Sequence, residues 1–139
     1  MFVDASAIVA ILSMEPERSR FIRALSTAET SAYTSVIAVW EAVTGVQRKL
    51  ELPLVDAERA VHEFIEASKI SIVAVAPAEL SAALSAFDRY GRHRFPASER
   101  NRALNLADCF HYASAKAQRV PILTKDVAFA ATDLPVVSA

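Results

Sequence analysis

The chain contains 139 residues, of which 53% are hydrophobic and 22% are charged, and its formal net charge is -1. This length suits one domain with a sizeable core, and this composition argues against a disordered chain. Only 2 glycines are present, which excludes a glycine-rich phosphate-binding loop. Because the net charge is near zero, any nucleic-acid site must be local and cannot depend on a global basic field.

Cysteine content and hydropathy indicate the cellular setting. Cys109 is the single cysteine, which excludes an internal disulfide and a zinc site built from several cysteines, and we interpret it as a small core residue. No apolar run reaches the roughly 18 residues needed to span a bilayer. Residues 1–4 lack the basic and apolar regions of a secretion signal. We therefore expect one soluble, cytoplasmic domain over residues 1–139, with no membrane partner.

The first half of the chain alternates short β runs with helical patterns. The opening run ends at Asp4, and aspartate is a favoured N-cap because its carboxylate accepts a hydrogen bond from an unpaired helix amide. Pro16 suits the first turn of a second helix, and valines and Trp40 then recur at helical spacing up to Pro53. The predicted elements are a strand at 1–3, helices at 7–12 and from 15, a strand at 32–34 and a helix from 35.

The second half continues this alternation around one basic segment. Asp56 is a candidate cap for the next helix, and a run rich in branched residues then predicts a strand. The basic segment, residues 89–102, contains Gly91 and Pro96, so part of it must be loop. The predicted elements are a helix at 57–67, a strand at 71–76, helices from 77 and at about 104–118, and strands at 120–124 and 136–137.

Strands that alternate with helices predict a parallel sheet that is covered on both faces. The expected fold class is α/β, a three-layer α/β/α sandwich whose central, mostly parallel sheet has four to five strands. In such open sheets, ligands bind beyond the carboxyl ends of the strands. Asp4 and Asp126 each follow a predicted strand, so both carboxylates are expected at that edge.

Two further acids lie in unusual places. Glu41 and Asp108 each occur inside an otherwise apolar helical segment, where a solvated acid is not expected. Carboxylates that are brought together repel one another, and burial raises the cost of each charge, so a bound divalent cation would relieve the conflict. Hard oxygen ligands suit Mg²⁺ or Mn²⁺, and a water bound to such an ion can attack a phosphate.

Each of the four acids also has an ordinary structural explanation. Asp4 can serve only as an N-cap, and Asp126 only as a turn residue. Glu41 can pair with Arg48 on the following turns of its helix. Asp108 can be a first-turn acid that the helix dipole favours. Taken singly, these explanations are at least as good as metal binding, and only the joint pattern favours the metal.

Other polar residues near these acids have two interpretations each. Ser6 and Thr124 can hydrogen-bond the acids or a metal-bound water, or can act as capping and turn residues. Asp133 is a fifth acid near the site or a turn residue. His111 follows Asp108 but is expected to point elsewhere on the helix, as a packed or partly exposed residue and not a general base. Trp40 is expected in the core or at an interface.

The basic segment is the best candidate for contact with phosphate, since the guanidinium fork matches phosphate geometry. An ordinary solvated helix end explains the same residues equally well. The candidate RNA-binding residues in it are Arg89, Arg92, Arg94, Arg100 and Arg102.

Several motifs, taken together and in order, resemble the PIN domain, in particular the VapC ribonuclease toxins of bacterial type II toxin–antitoxin systems. Lys125 departs from the Gly or Arg that many relatives have before the last acid, and it can neutralise part of the acidic site or contact phosphate. The spacing of the motifs fits over nearly the whole chain. The matching motifs are FVDASA at 2–7, VWE at 39–41, NLADCF at 105–110 and LTKD at 123–126, with Phe129 and TDL at 132–134.

The resemblance implies a metal-dependent endoribonuclease that hydrolyses RNA, including tRNA, with Mg²⁺ or Mn²⁺. It implies that Asp4, Glu41, Asp108 and Asp126 are the catalytic, metal-binding acids. It also implies a homodimer, with the apolar early helices as a contact surface, and inhibition by a small antitoxin protein. Two alternatives stay open: a nuclease of the same fold that processes RNA or cuts DNA, and an inactive PIN-fold binding module.

Overall fold

The computed structural model describes residues 1–137, in which five parallel strands form one sheet. The strands are β1 (Phe2–Val3), β2 (Ala32–Ser35), β3 (Ile70–Val73), β4 (Ile122–Leu123) and β5 (Val136–Val137). Their order across the sheet is β3-β2-β1-β4-β5, and each neighbouring pair is parallel. The predicted α/β class, with a parallel sheet of four to five strands, is confirmed.

Helices surround this sheet. The α-helices are α1 (Ala5–Leu12), α2 (Arg18–Ser26), α3 (Val36–Leu50), α4 (Leu54–Ala67), α5 (Glu79–Tyr90) and α6 (Leu106–Gln118). Short 3₁₀ helices occur at Arg92–Arg94, Ala97–Arg102 and Val127–Ala131. Within residues 1–137, no helix is both long and apolar enough to cross a membrane.

The strand order explains how the helices form two layers. The chain moves outward from β1 to β3 and then crosses back to β4, and right-handed crossovers place the two sets of helices on opposite faces. The contacts agree with this division, because α1 packs on α2, α3 and α4, whereas α5 packs chiefly on α6. Helix α3 also touches α6. This contact brings side chains of the two layers together beside β1.

The core lies along the central strands. Phe2 and Val3 of β1 and Ile122 and Leu123 of β4 have no exposed surface. A strand that is covered on both faces is apolar at every position, which explains why these runs do not alternate with polar residues. Cys109 is also buried, which confirms its expected place in the core. Trp40 is 67% exposed, so of its two expected places the core is excluded, and a place at an interface stays a prediction.

Helix ends differ from the predicted ones. Helix α4 begins at Leu54 after Pro53, so Asp56 lies in the first turn and does not cap the helix. Its carboxylate instead contacts Arg59 at 3.3 Å. Proline fixes its own φ angle and lacks an amide hydrogen, so it can precede a helix without leaving a donor unpaired. Helix α6 begins at Leu106, because Asn105 caps it.

Candidate metal centre

The carboxyl edge of the sheet gathers acids from four separate elements. Asp4 follows the central strand β1, and Asp126 lies three residues beyond β4, the strand next to it. The chain leaves β1 toward β2 but reaches β4 from the opposite direction, so the two strands meet at a topological switch point. Glu41 comes from α3 and Asp108 from α6.

Asp4 is both the N-cap of α1 and a buried acid of this edge. The residue is 4% exposed, and its Oδ2 accepts hydrogen bonds from Ser6 N at 3.2 Å, from Ser6 Oγ and from Thr124 Oγ1 at 2.8 Å. Three donors therefore occupy one carboxylate oxygen. The other oxygen, Oδ1, lies 3.7 Å from Nε2 of His111. The hydrogen bonds to Oδ2 fix the carboxylate so that Oδ1 lies on the side of His111.

Two hydroxyl groups join the loop after β4 to the start of α1. Ser6 Oγ accepts a hydrogen bond from Lys125 N at 2.9 Å, and Thr124 Oγ1 accepts one from Asp126 N at 2.9 Å. The two hydroxyl oxygens are 3.1 Å apart. Asp126 Oδ1 accepts a hydrogen bond from Ala128 N at 2.8 Å. Ser6 and Thr124 thus contact the acids directly and also act as turn residues.

Asp108 is buried at the N-terminus of α6, where it forms a capping box. Its Oδ2 accepts a hydrogen bond from Asn105 N at 2.8 Å, and its amide donates to Asn105 Oδ1 at 3.0 Å. The pKa of Asp108 is raised to about 7, chiefly by burial and further by the negative charges of Asp126 and Asp4. The hydrogen bond from Asn105 N and the charge of His111 lower this pKa but do not cancel the rise. For a carboxyl group with this pKa, the ionised form is unfavourable near neutral pH unless a cation lies nearby.

Asp126 shows the same conflict. Burial raises its pKa, and the charges of Asp4 and Glu41 raise it further, whereas the hydrogen bond from Ala128 N opposes the rise. The acids therefore repel one another electrostatically at this edge of the sheet. The charge of Asp4 raises the pKa of both Asp108 and Asp126.

Glu41 meets His111 across the contact between α3 and α6. The imidazole Nε2 lies 2.6 Å from Glu41 Oε2, and the imidazole is fully buried. Burial lowers the pKa of His111, but the Glu41 hydrogen bond and the charges of Asp4, Glu41 and Asp108 outweigh it, so the pKa is raised overall. Within residues 1–137 the carboxylate of Glu41 contacts this histidine and not Arg48.

The interpretation of His111 as pointing away from the acids is wrong. Residues three apart on a helix share a face, so Asp108 and His111 both point toward the same edge of the sheet. The spacing was visible in the sequence and indicates this arrangement. The part of the interpretation that concerns packing is right, since the imidazole has no exposed surface and its ring lies 5.7 Å from the ring of Phe2.

These residues fit a hard divalent cation by charge and by donor chemistry. Carboxylate oxygens are the ligands that Mg²⁺ and Mn²⁺ prefer, and a cation would remove the repulsion that raises the pKa of Asp108 and Asp126. Across the described part of the chain, no three His, Cys, Asp or Glu side chains form a group positioned to hold a metal ion. The fit thus depends on electrostatics and ligand type, not on a complete coordination shell.

A cavity of about 910 Å³ opens beside Asp108 and Asp126. One wall is apolar, and two arginines, Arg92 and Arg100, lie in the lining with the acids. The apolar wall includes Leu80, Leu84, Phe87, Leu106 and Phe110. We call this space the site cavity. It places positive charge, apolar surface and carboxylates next to one another.

The other cations of the basic segment are paired with surface acids. Ion pairs join Arg89 to Asp133 at 3.8 Å, Arg94 to Asp88 at 3.2 Å and Arg102 to Glu99 at 3.7 Å. Within residues 1–137, Arg92 and Arg100 make no such pair. The structure thus divides the five arginines into three that are paired and two that line the site cavity.

Lys125 and Asp133 lie outside the acidic cluster. The Lys125 ammonium contacts Glu15 and also lies 3.6 Å from Glu17, so it is engaged by the turn between α1 and α2. Asp133 accepts hydrogen bonds from Tyr112 Oη at 2.7 Å and from Lys116 Nζ at 2.8 Å. These bonds explain why its pKa is lowered. Asp133 is therefore a surface residue and not a fifth acid of the site.

Comparisons with known proteins agree with this fold. Residues 1–134 match the family model described as the PIN domain. The chain is 34% identical to a ribonuclease VapC of Mycolicibacterium smegmatis, with 99% of each chain covered. It is also 34% identical to ribonuclease VapC30 of Mycobacterium tuberculosis, over 99% of this chain and 98% of that protein.

Solved structures show the same architecture. VapC20 of Mycobacterium tuberculosis, described as a toxin that cleaves the sarcin-ricin loop, superposes with a TM-score of 0.74 at 16% identity, over 96% of this chain and 95% of that one. A toxin–antitoxin complex from Klebsiella pneumoniae gives a TM-score of 0.66 at 19% identity, over 98% and 94%. Together with the full-length sequence matches, these findings show that the chain belongs to the PIN-domain family, among the VapC ribonucleases.

Proposed function

We propose that the protein is an endoribonuclease toxin that hydrolyses RNA at the edge formed by Asp4, Glu41, Asp108 and Asp126. The observation that carries the proposal is the buried position of Asp108 beside Asp4 and Asp126, which raises its pKa to about 7. Such a cluster is costly to a protein unless a cation binds there. The VapC ribonuclease relatives support RNA over DNA as substrate and support an enzyme over an inactive binding module.

The four acids would hold Mg²⁺ or Mn²⁺, in keeping with the dependence of PIN-domain VapC nucleases on divalent metals. When bound, such an ion activates a water for attack on phosphorus and stabilises charge on the phosphate. The chain's own residues prepare the site for this. Three hydrogen bonds occupy Oδ2 of Asp4 and leave its Oδ1, which lies 3.7 Å from His111 Nε2, available to a cation. Thr124 joins Asp4 to the loop that carries Asp126.

The site cavity suits an RNA strand. Arg92 and Arg100 lie in its lining with Asp108 and Asp126, so a phosphate that contacts these arginines lies close to the acids. The apolar wall, which includes Phe87 and Phe110, offers surface on which bases can stack. Arg89, Arg94 and Arg102 already pair with surface acids, and Lys125 pairs with Glu15, so we assign them a smaller part in RNA binding.

A small antitoxin protein is the proposed partner, because VapC toxins pair with antitoxins and a toxin–antitoxin complex shares the fold. We also propose a homodimer that uses the early helices. Met14, which follows α1, and Ile22, which lies in α2, are large apolar residues that are 72% and 40% exposed. An RNA substrate and an antitoxin of this kind imply action in the cytoplasm.

Cleavage of a labelled RNA by the purified chain tests the proposal. We expect cleavage with Mn²⁺ or Mg²⁺ and none with EDTA. Asp4→Asn and Asp108→Asn should each lower the rate by roughly 100-fold or more, because loss of a ligand exceeds the 10–100-fold effect of outer groups. Asp56→Asn is the matched control, since this acid lies in α4 and its carboxylate pairs with Arg59, away from the proposed centre. Normal cleavage by both site variants would refute the proposed centre.

A further inference from the structure

His111 lies between two of the proposed metal-binding acids. Its Nε2 is 2.6 Å from Glu41 Oε2 and 3.7 Å from Asp4 Oδ1. The side chain is fully buried, and it occurs one turn after Asp108 on the same face of α6. It is therefore in contact with the acids without being one of them.

The hydrogen on Nε2 can be assigned from its partner. An ionised carboxylate only accepts hydrogen bonds, so at 2.6 Å from Glu41 Oε2 the imidazole Nε2 must be the donor. Because Nε2 then carries a hydrogen, it cannot bind a metal ion. The other ring nitrogen, Nδ1, is buried and makes no hydrogen bond with any described residue, so among these residues the imidazole has its one hydrogen bond with Glu41.

Glu41 needs such a partner more than the other acids do. Asp4 is fixed by three donors and Asp108 by a capping box, whereas the hydrogen bond from His111 is the one that the carboxylate of Glu41 makes within residues 1–137. Its side chain is 29% exposed and has several rotatable bonds. Without the imidazole, the carboxylate would gain rotamers that point to solvent.

We propose that His111 is a positioning residue that holds the Glu41 carboxylate in the metal centre through the hydrogen bond from Nε2. The inference rests on the proposed function, because it takes Glu41 as a metal-binding acid. Partners that orient a ligand typically account for 10–100-fold in metal affinity. His111 acts through Glu41 and does not touch the metal, so its effect should vanish once Glu41 can no longer bind as a carboxylate.

Three substitutions separate the hydrogen bond from the bulk of the side chain. Glutamine places an amide donor about where Nε2 lies, so His111→Gln should keep the contact with Glu41. Asparagine is too short to reach it, and leucine fills the space without a donor. If His111 serves packing alone, His111→Leu should affect Mn²⁺ binding least of the three. If it positions Glu41, His111→Gln should affect Mn²⁺ binding least.

The experiment measures Mn²⁺ binding to the full chain by titration calorimetry after treatment with EDTA. We expect His111→Leu and His111→Asn to weaken binding by roughly 10–100-fold, and His111→Gln to restore most of it. In a Glu41→Gln background, His111→Leu should cause no further loss. Circular dichroism and thermal melting confirm that each variant is folded. Electron spin echo spectroscopy of the unmodified protein with Mn²⁺ should show no directly bound nitrogen, a readout that needs no variant.

Three results would overturn the inference: unchanged Mn²⁺ affinity in His111→Leu, the same loss from His111→Leu with and without Glu41→Gln, or a bound nitrogen in the echo spectrum. Asp108→Asn separates this failure from failure of the proposed function. If Asp108→Asn also binds Mn²⁺ normally, the metal centre itself is misassigned. If only Asp108→Asn loses binding, the centre stands and His111 has no part in positioning Glu41.

Discussion

Thr124 connects two of the proposed metal-binding acids through one buried hydroxyl group. It donates to Asp4 Oδ2 at 2.8 Å and accepts from Asp126 N at 2.9 Å. Valine has nearly the same shape, so Thr124→Val removes both hydrogen bonds with little change in packing. A buried polar group that loses its partner costs about 1–3 kcal/mol. We expect a loss of stability of that size, together with weaker Mn²⁺ binding.

Urea unfolding and metal titration measure these two effects. Thr124→Ser keeps the hydroxyl and is the matched control, so it should retain most of the metal affinity. Thr44→Val is a second control, because within residues 1–137 the Thr44 hydroxyl donates to backbone carbonyls of α3 and to no site acid's side chain. Equal Mn²⁺ affinity in Thr124→Val and in the unmodified chain would show that the hydroxyl does not organise the acids.

The raised pKa of Asp108 determines how the stability of the metal-free protein depends on pH. Its pKa is about 7 in the folded chain, whereas an ordinary aspartate has a pKa of 3.8, and burial is the main cause of the difference. The folded state therefore holds this proton more tightly than the unfolded state does. From about pH 4 to about pH 7 the contribution of Asp108 to stability falls as pH rises, and it stays low above that range. Each pKa unit corresponds to about 1.4 kcal/mol, so the total cost is a few kcal/mol.

Asp108→Asn should remove this cost, because the amide oxygen can still accept the hydrogen bond from Asn105 N. In EDTA near pH 8 the variant should be more stable than the unmodified chain, and the difference should vanish near pH 4. Added Mn²⁺ should reverse the order, since only the unmodified chain keeps the ligand. Urea unfolding across this pH range is the measurement. A difference that does not change with pH would contradict the raised pKa.

At the scale of elements, the approach of α1 to α3 depends on Gly45. A Cβ atom at this position would lie 2.8 Å from Cγ2 of Val9, closer than such atoms normally approach. The two helices carry Asp4 at the start of α1 and Glu41 one turn before Gly45 in α3. The glycine thus lets two elements that carry site acids pack closely.

Paired substitutions test this contact. Gly45→Ala should destabilise the natural chain by about 1 kcal/mol, because Val9 must move. In a Val9→Ala background the space is open, and the same change should stabilise the chain by up to about 1 kcal/mol through better helix propensity. Thermal unfolding of the four proteins gives both values. The same effect of Gly45→Ala in both backgrounds would mean that Val9 does not restrict the approach.

Most elements could be predicted from the sequence, because apolar spacing distinguishes buried strands from helices that cover a sheet. Their ends were less predictable. The strand predicted at 71–76 is shorter, Ile70–Val73, and α4 begins at Leu54 and not after Asp56. Helix ends depend on capping contacts that several nearby residues can provide, so local sequence allows more than one solution.

The site shows a similar limit. The positions of Asp4 and Asp126 follow from strands that end beside each other, which is a rule of parallel sheets. Glu41 is a candidate through family resemblance and its apolar surroundings, because nothing in the local sequence shows that α6 packs against α3. The local sequence does not indicate the contact of His111 for the same reason, since its partner Glu41 is 70 residues away in the chain. Contacts between distant elements are set by tertiary packing, which a local pattern does not report.

At the scale of the whole molecule, charge limits how the protein can hold RNA. The net charge of -1 gives no overall attraction to a polyanion, and four acids at the proposed centre repel phosphate. Binding must therefore rely on a few well-placed cations. Arg92 and Arg100 are the arginines of the basic segment that line the site cavity, whereas Arg94 is engaged by Asp88.

The salt dependence of RNA binding tests this arrangement. Each phosphate contact with a single strand contributes about 0.7 to the slope of log affinity against log salt. We expect the slope to fall by about 1.4 when Arg92 and Arg100 are both changed to Ala, and to change little in Arg59→Ala, whose side chain pairs with Asp56 on α4. An Asp108→Asn background prevents cleavage during the measurement. A slope that falls equally for Arg59→Ala would mean that RNA is attracted by surface charge in general and is not held in the site cavity.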